Sequence, residues 1–302
     1  FVNDHRDAWE VVRRADHPNV GLILDSFHTL ARRIDPASIR AIPGDRIFFV
    51  QLADAPAIDM DLLYWSRHYR NMPGEGDLDV TSFMQAVAAT GYAGPLSLEI
   101  FNDQFRSGLP RMVAKDGHRS LIALMDQVRR VEPAAAPDLP RFPAPAPVER
   151  IEYIEFATSA AEAPALETLL SSLGFAAGGR HVSKPVTVWR QGGVNVLVNS
   201  DPSGFAHSAY VTHGTTVSEI ALMVPDARAA YQRATALLAR PLVQETPPGQ
   251  LAIPAIRGVS GNVIRLLDAT SDLAGIWQVD FRATPAQAGA GITRIDHIGQ
   301  TM

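Results

Sequence analysis

Asp25, Gln51 and Glu99 are the residues of this sequence whose types and placing point most directly to chemistry. Each stands at the carboxyl end of a short apolar run: Gly21-Leu-Ile-Leu-Asp25, Ile47-Phe-Phe-Val-Gln51 and Leu96-Ser-Leu-Glu99. Two carboxylates and an amide oxygen form an all-oxygen donor set, which suits a hard divalent cation such as Mg²⁺ or Mn²⁺, with Co²⁺ admissible. Such an ion polarises a carbonyl or hydroxyl and stabilises an enolate. His28 follows Asp25 by three residues and could act as a general base or acid, or simply bond to a neighbouring loop. Arg67 and Arg70, in Arg67-His68-Tyr69-Arg70, could clamp a carboxylate in bidentate fashion, or could lie in solvent. Asp54 lies three residues past Gln51. The stretch Pro73-Gly-Glu-Gly-Asp77 lacks the spacing of a phosphate-binding loop and reads as a tight turn.

These side chains need strands to aim them. Runs this apolar read as buried strands, and their alternation with helical segments predicts a parallel α/β sheet. Chemistry in such sheets collects at the carboxyl ends of the strands. Helical periodicity covers Asp7–Ala15, Asp79–Ala89 and Lys115–Arg130. Asp35-Pro36 suits a helix start, with Asp as N-cap and Pro at the first position. Ala53–Leu78 reads as a long irregular segment, placed where a substrate-binding lid would lie.

A Pro/Ala stretch, 133–147, separates this half from the next and predicts a semi-rigid linker. Beyond it the pattern is strand (Glu149–Thr158), helix (Ala160–Leu173) and three strands (175–183, 186–190, 194–199). The order then repeats: strand (218–225), helix (227–239) and strands at 243–245, 251–256 and 262–268. Paired βαβββ units, an internal duplication, are therefore expected over 148–282. Ile292-Thr-Arg-Ile-Asp-His-Ile298 matches Val148-Glu-Arg-Ile-Glu-Tyr-Ile154 in residue type, with His297 where the earlier copy has Tyr153. A further module start is thus expected at 291–302, and the chain reads as a fragment cut at both ends.

The 302 residues contain no cysteine, which excludes disulfides, thiolate nucleophiles and Cys-ligated metals. A net charge of −5 argues against nucleic acid as main partner. No run is apolar and long enough to span a bilayer, and no signal peptide is seen, so the expected setting is cytoplasmic, with a small-molecule substrate. A homo-oligomer stays open.

LILDSFH, FVQLAD, RHYRNMPGEGD and LSLEIF together resemble the last three strands of a sugar-phosphate isomerase/epimerase-type, xylose-isomerase-like TIM barrel. Within that superfamily they are most similar to bacterial 3-dehydroshikimate dehydratases fused to a 4-hydroxyphenylpyruvate dioxygenase-like domain. The duplicated half agrees with that domain's vicinal-oxygen-chelate arrangement. The resemblance implies an α/β partial TIM barrel (1–132, the last three βα units) followed by an α+β vicinal-oxygen-chelate domain. It implies a divalent metal on Asp25, Gln51 and Glu99, with a fourth ligand, a Glu, upstream of Phe1. It further implies a lyase dehydrating 3-dehydroshikimate to protocatechuate in quinate and shikimate catabolism. His28 would then transfer the proton, and Arg70, with Arg67, would hold the substrate carboxylate. A sugar isomerase or epimerase, and a dioxygenase-like protein, are the alternatives. In the dioxygenases the first module carries no metal, as Tyr153 suggests here, and His297 would match the first ligand of the second.

Overall fold

The computed structural model describes residues 2–135 and 141–299, which divide into two units, 1–141 and 142–302. Part of the expected linker, 136–140, lies outside the described residues, as do Phe1 and 300–302 of the expected further module.

In the first unit, helix α1 (His5–Ala15) starts on Asp4, whose side chain accepts from the Arg6 N–H. It leads to strand β1 (Leu22–Asp25), and the short helix α2 (Ser26–Leu30) follows at once, capped by Asp25 itself. Asp35-Pro36 opens a 3-10 turn over Pro36–Ala41. Strand β2 (Ile47–Leu52) comes next, then α3 (Leu62–His68), α4 (Val80–Ala89) and strand β3 (Leu96–Leu98). Helices α5 (Asp103–Arg106) and α6 (Pro110–Val131) close the unit. The three strands form one parallel sheet in the order β1-β2-β3.

The core lies on one face of that sheet. Leu22, Leu24, Val50 and Leu52 pack there with Phe83 and Val87 of α4 and Leu124 and Val128 of α6. On the opposite face Ile23 is 64 % exposed, and Phe48, beside the shift in the β1–β2 register, is 43 % exposed. β1 alternates, one side in the core and one side out, whereas β2 breaks the period between Ile47 and Val50, both in the core, where the register shifts. The segment 53–78 is also more ordered than its irregular sequence implies. Asp61 caps α3, and Trp65 packs edge-on against Phe27, with ring centres 5.3 Å apart.

The second unit carries a seven-stranded mixed sheet in the order β5-β6-β7-β4-β8-β10-β9. Its first repeat is β4 (Arg150–Ala157), α7 (Ala163–Ser172), β5 (Ala176–Arg180), β6 (Val186–Gln191) and β7 (Val194–Asn199). Helix α8 (Gly204–His213), which the sequence reading missed, precedes the second repeat. That repeat is β8 (Thr216–Met223), α9 (Ala227–Ala236), β9 (Ala255–Arg257) and β10 (Val263–Leu267), and α10 (Ile276–Val279) follows. The expected strand at 243–245 does not form. Prolines 241, 247, 248 and 254 remove donors from the stretch around it, leaving one bridge between Pro241 and Ile256. The second repeat is one strand short of βαβββ. Residues 291–299 likewise form no strand. They are tied to the β6–β7 turn by single bonds, Gly193 N–H to the Thr293 carbonyl and Ile292 N–H to Gln191 Oε1.

Candidate functional site

Parallel register brings the predicted donors together. Asp25 lies beside Gln51 across β1 and β2, and Gln51 pairs with Ser97 across β2 and β3. Glu99 is two residues beyond Ser97, so the period of two returns it to the same face. Its N–H donates to the Leu52 carbonyl, which extends the pairing one step past the strand. Gln51 Nε2 donates to Glu99 Oε1 at 2.9 Å, leaving the Gln51 amide oxygen available as a donor atom to a cation.

The guanidinium of Arg70 joins the rest. Its Nη1 donates to Asp25 Oδ2 at 3.1 Å and to Glu99 Oε2 at 2.8 Å. Both carboxylate oxygens therefore meet one nitrogen, and they are separated by no more than those two bonds end to end. Nη2 lies 3.1 Å from His28 Nε2. Arginine has no acceptor, so in this contact His28 Nε2 can only accept, and the same nitrogen lies 3.7 Å from Asp25 Oδ2. Nε donates to the Ser66 carbonyl at 2.8 Å, and the guanidinium carbon stands 4.7 Å and 5.4 Å from the ring centres of Phe27 and Phe101. Arg70 is 2 % exposed.

The backbone around Arg70 is clamped from two strand ends. Asp54 and Asn71 exchange backbone bonds of 2.9 and 2.8 Å. Arg70 N–H donates to the Phe101 carbonyl, and Asn102 Nδ2 donates to the Arg70 carbonyl at 3.1 Å. The Asp54 carboxylate, 1 % exposed, accepts N–H bonds from Ala55, Gly74, Gly76 and Leu78 and so shapes the Pro73–Asp77 turn. Asn102 went unnoticed in the sequence and Asp54 had no role there. Only the Gly-rich turn three residues after Arg70 hinted at either.

Of the residues singled out from sequence, Asp25, His28, Gln51, Arg70 and Glu99 are brought together. Arg67 is not: it is exposed on α3 and makes no bond to the cluster. His68 pairs instead with Asp103 at 2.8 Å. His297 is exposed and, among the described residues, bonds its neighbour Asp296. Tyr153, at the matching position of β4, is buried, and its hydroxyl donates to Glu219 Oε1. Glu219 also receives Arg265 Nε at 2.6 Å. Beside them, burial and then the Glu219 charge push the Glu155 carboxyl up to about 7.

The donor chemistry of the first cluster fits a hard cation. Among the described residues no three His, Asp or Glu side chains by themselves form a metal-holding group. An ion here would lean on the Gln51 oxygen as well as on Asp25 and Glu99, and would keep places for other ligands.

Residues 1–124 match the family described as xylose isomerase-like TIM barrel, and residues 142–282 the family described as hydroxyphenylpyruvate dioxygenase, N-terminal. Each match falls within one of the two units. Over 98 % of its length it is 44 % identical to a 3-dehydroshikimate dehydratase of Pseudomonas putida and 43 % identical to one of Pseudomonas aeruginosa. It covers 48 % of each, so it spans about half the length of these curated relatives. A solved xylose isomerase-like TIM barrel/4-hydroxyphenylpyruvate dioxygenase fusion protein superposes with a TM-score of 0.87 at 44 % identity, over 98 % of this chain and 48 % of that one. A 4-hydroxyphenylpyruvate dioxygenase of a Pseudomonas species is 34 % identical over 49 % of this chain and 42 % of its own.

Proposed function

We propose that this chain carries metal-binding and proton-transfer side chains of a 3-dehydroshikimate dehydratase, the hydro-lyase that forms protocatechuate. The first unit is read as the last three βα units of the barrel, and the second as the dioxygenase-like module. The reading rests on one observation above all: Asp25, Gln51, Glu99 and His28 meet at the carboxyl ends of adjacent strands, in a chain 44 % identical to a protein of that name. Asp25, Gln51 and Glu99 would hold a divalent ion, Mg²⁺ or Mn²⁺ by donor type. When bound, the ion supplies Lewis acidity to the ketone and hydroxyl oxygens of the substrate. His28 Nε2 accepts the proton removed α to the ketone. Arg70 is a fixed counter-charge: it holds the two carboxylates and the imidazole in one arrangement before substrate arrives. Loss of water and enolisation then give an aromatic ring, which makes the overall step strongly favourable. The partner is a small molecule, and no helix among the described residues is long and apolar enough to cross a membrane.

The test uses the full native chain with 3-dehydroshikimate, after treatment with chelator and again after addition of Mg²⁺ or Mn²⁺. A metal-dependent rise in the ultraviolet absorbance of protocatechuate is expected. Glu99→Gln should abolish it while leaving the circular dichroism spectrum unchanged. No absorbance from the parent protein, or near-normal turnover by Glu99→Gln, would overturn the reading.

A further inference from the structure

We infer that the second unit binds a small organic cation, a primary ammonium on an apolar body, in a cavity floored by Glu155 and Glu219. No residue of the first unit takes part, so this binding stands apart from the dehydratase reading. Glu155 on β4 and Glu219 on β8 are direct partners across the antiparallel pair. Side chains so placed share one face, with Cβ atoms about 4.5–5.5 Å apart, and like charges there repel. Arg265 of β10 answers one of the two: its Nε donates at 2.6 Å to Glu219 Oε1, which also accepts from the Tyr153 hydroxyl. Glu155 Oε1 accepts from Asn199 Nδ2 at 2.9 Å and from the Ser218 hydroxyl at 3.4 Å. Among the described residues, Glu155 Oε2 and Glu219 Oε2 accept no bond. Tyr153 and Glu219 are 2 % and 6 % exposed, closed in by the central strands of this unit's own sheet. Two opposed carboxylates thus share one guanidinium, and a second cation is what the pair lacks.

The cavity over this pair has a volume of about 240 Å³. That is below the roughly 300–1,000 Å³ of sites for drug-sized ligands, so it suits a small molecule. Five carboxylates line it against one lysine and one arginine, a balance that favours a cation over an anion. Burial and then the Lys184 charge lower the His181 pKa, so its ring adds no competing cation at pH 7. Val186, Leu197, Ile253 and Phe281 supply apolar wall. Segment 242–253, where the second repeat lacks its strand, closes one side. Arg265 Nη2 donates to Gln244 Oε1 at 3.2 Å, Gln250 Nε2 to Ser183 Oγ at 2.6 Å, and the Leu251 N–H to Asp280 Oδ1 at 2.9 Å. Those bonds tie the segment to β10, to the β5–β6 turn and to the residue after α10, with Gln244 and Leu251 on the cavity wall. Apolar walls over an anionic floor match an ammonium carried on a small hydrocarbon.

The experiment titrates the full native chain with benzylamine and with benzyl alcohol, which replaces the ammonium by a hydroxyl, by calorimetry at pH 8. The parent should bind the amine at least about tenfold more tightly than the alcohol. Glu155→Gln keeps an acceptor for Asn199 and should weaken the amine by roughly 10- to 150-fold while leaving the alcohol as it was. Lys184→Met, at the exposed rim, removes a like charge and should strengthen the amine about two- to fivefold. Glu149→Gln, exposed and outside the cavity, should match the parent. Burial and then the Glu219 charge put the Glu155 carboxyl at about 7, and a bound cation favours its ionised form. At pH 7 the amine should therefore expel roughly half a proton, read from the heats in two buffers, and Glu155→Gln should expel none. No binding of benzylamine, equal affinity for amine and alcohol, or unchanged amine affinity in Glu155→Gln overturns the assignment. Equal weakening of both ligands in Glu155→Gln overturns it as well, since that is damage to the cavity rather than loss of a charge contact. Competitive displacement of benzylamine by Mn²⁺ would make this a metal site instead. Turnover of 3-dehydroshikimate is not read, so failure of the dehydratase reading leaves this test intact.

Discussion

Replacing Arg70 by Met tests the arrangement on which the first unit's site depends. The change removes five N–H donors but keeps an unbranched apolar stem between Phe27 and Phe101, so the packing loss is small. What remains is two carboxylates facing each other without the cation they share. Breaking a buried ion pair from one side costs about 3–5 kcal/mol. Asp25 is 8 % exposed but Glu99 30 %, so water screens part of the repulsion, and we expect a loss of about 2–4 kcal/mol. The chain has two units and a single global transition is not assured, so the measurement is local. Hydrogen exchange of peptides spanning 22–30 and 96–102 reads the opening free energy of the strand ends themselves. Removing one carboxylate as well, in Arg70→Met with Glu99→Gln, should recover about 1–2 kcal/mol of the loss, because one negative charge then stands alone. If the oxygens form a hard-ion site, millimolar Mn²⁺ should protect the Arg70→Met peptides more than those of the parent, since binding stabilises by mass action. A loss below about 1 kcal/mol, or simple additivity of the two changes within about 0.5 kcal/mol, would refute the reasoning.

Two further outcomes follow from the same physics. At Gly76 an added Cβ would meet Asp54 Oδ1 and the Ala55 backbone, with the latter at 2.6 Å. Gly76→Ala should therefore disrupt the turn and cost about 2 kcal/mol or more by exchange of peptides over 54–78, and protection equal to the parent would count against the Asp54 clamp. In the second unit the Glu155 carboxyl titrates near 7 when folded, against an ordinary 4.5. The fold favours its neutral form, so the cost is absent below about pH 4.5, grows through that window and is complete above 7. Glu155→Gln keeps an acceptor for Asn199 and should gain about 1–2 kcal/mol over the parent between pH 5 and pH 8, discounted for partial exposure. Hydrogen exchange of peptides over 150–157 and 216–223 at the two pH values checks it, and an identical difference at both would show that the group is not so perturbed.

The residues that sequence identified were those whose signal is local. An oxygen-bearing side chain ending an apolar run announces its own place at a strand end, and parallel pairing on a period of two does the rest. Asp25, Gln51 and Glu99 were legible for that reason, and so was the division of the chain near its Pro/Ala stretch. Boundaries were less legible where a single feature had to outweigh its surroundings. The run at 243–245 has strand-like residues, but the prolines around it deny the donors a ladder needs. Helix α3 is too short to display a period and is held by tertiary packing, Trp65 and Leu62 lying in one cluster with Phe27 and Ala53.

What only the tertiary structure decided is the use of the arginines. In sequence Arg67 and Arg70 are alike, two cations three residues apart. Folding seals Arg70 between two strand ends and two aromatic rings, where its charge is spent on neighbouring carboxylates. It leaves Arg67 exposed on α3. Charge type is a property of the residue, but whether that charge is committed or available depends on which distant groups the chain folds against it.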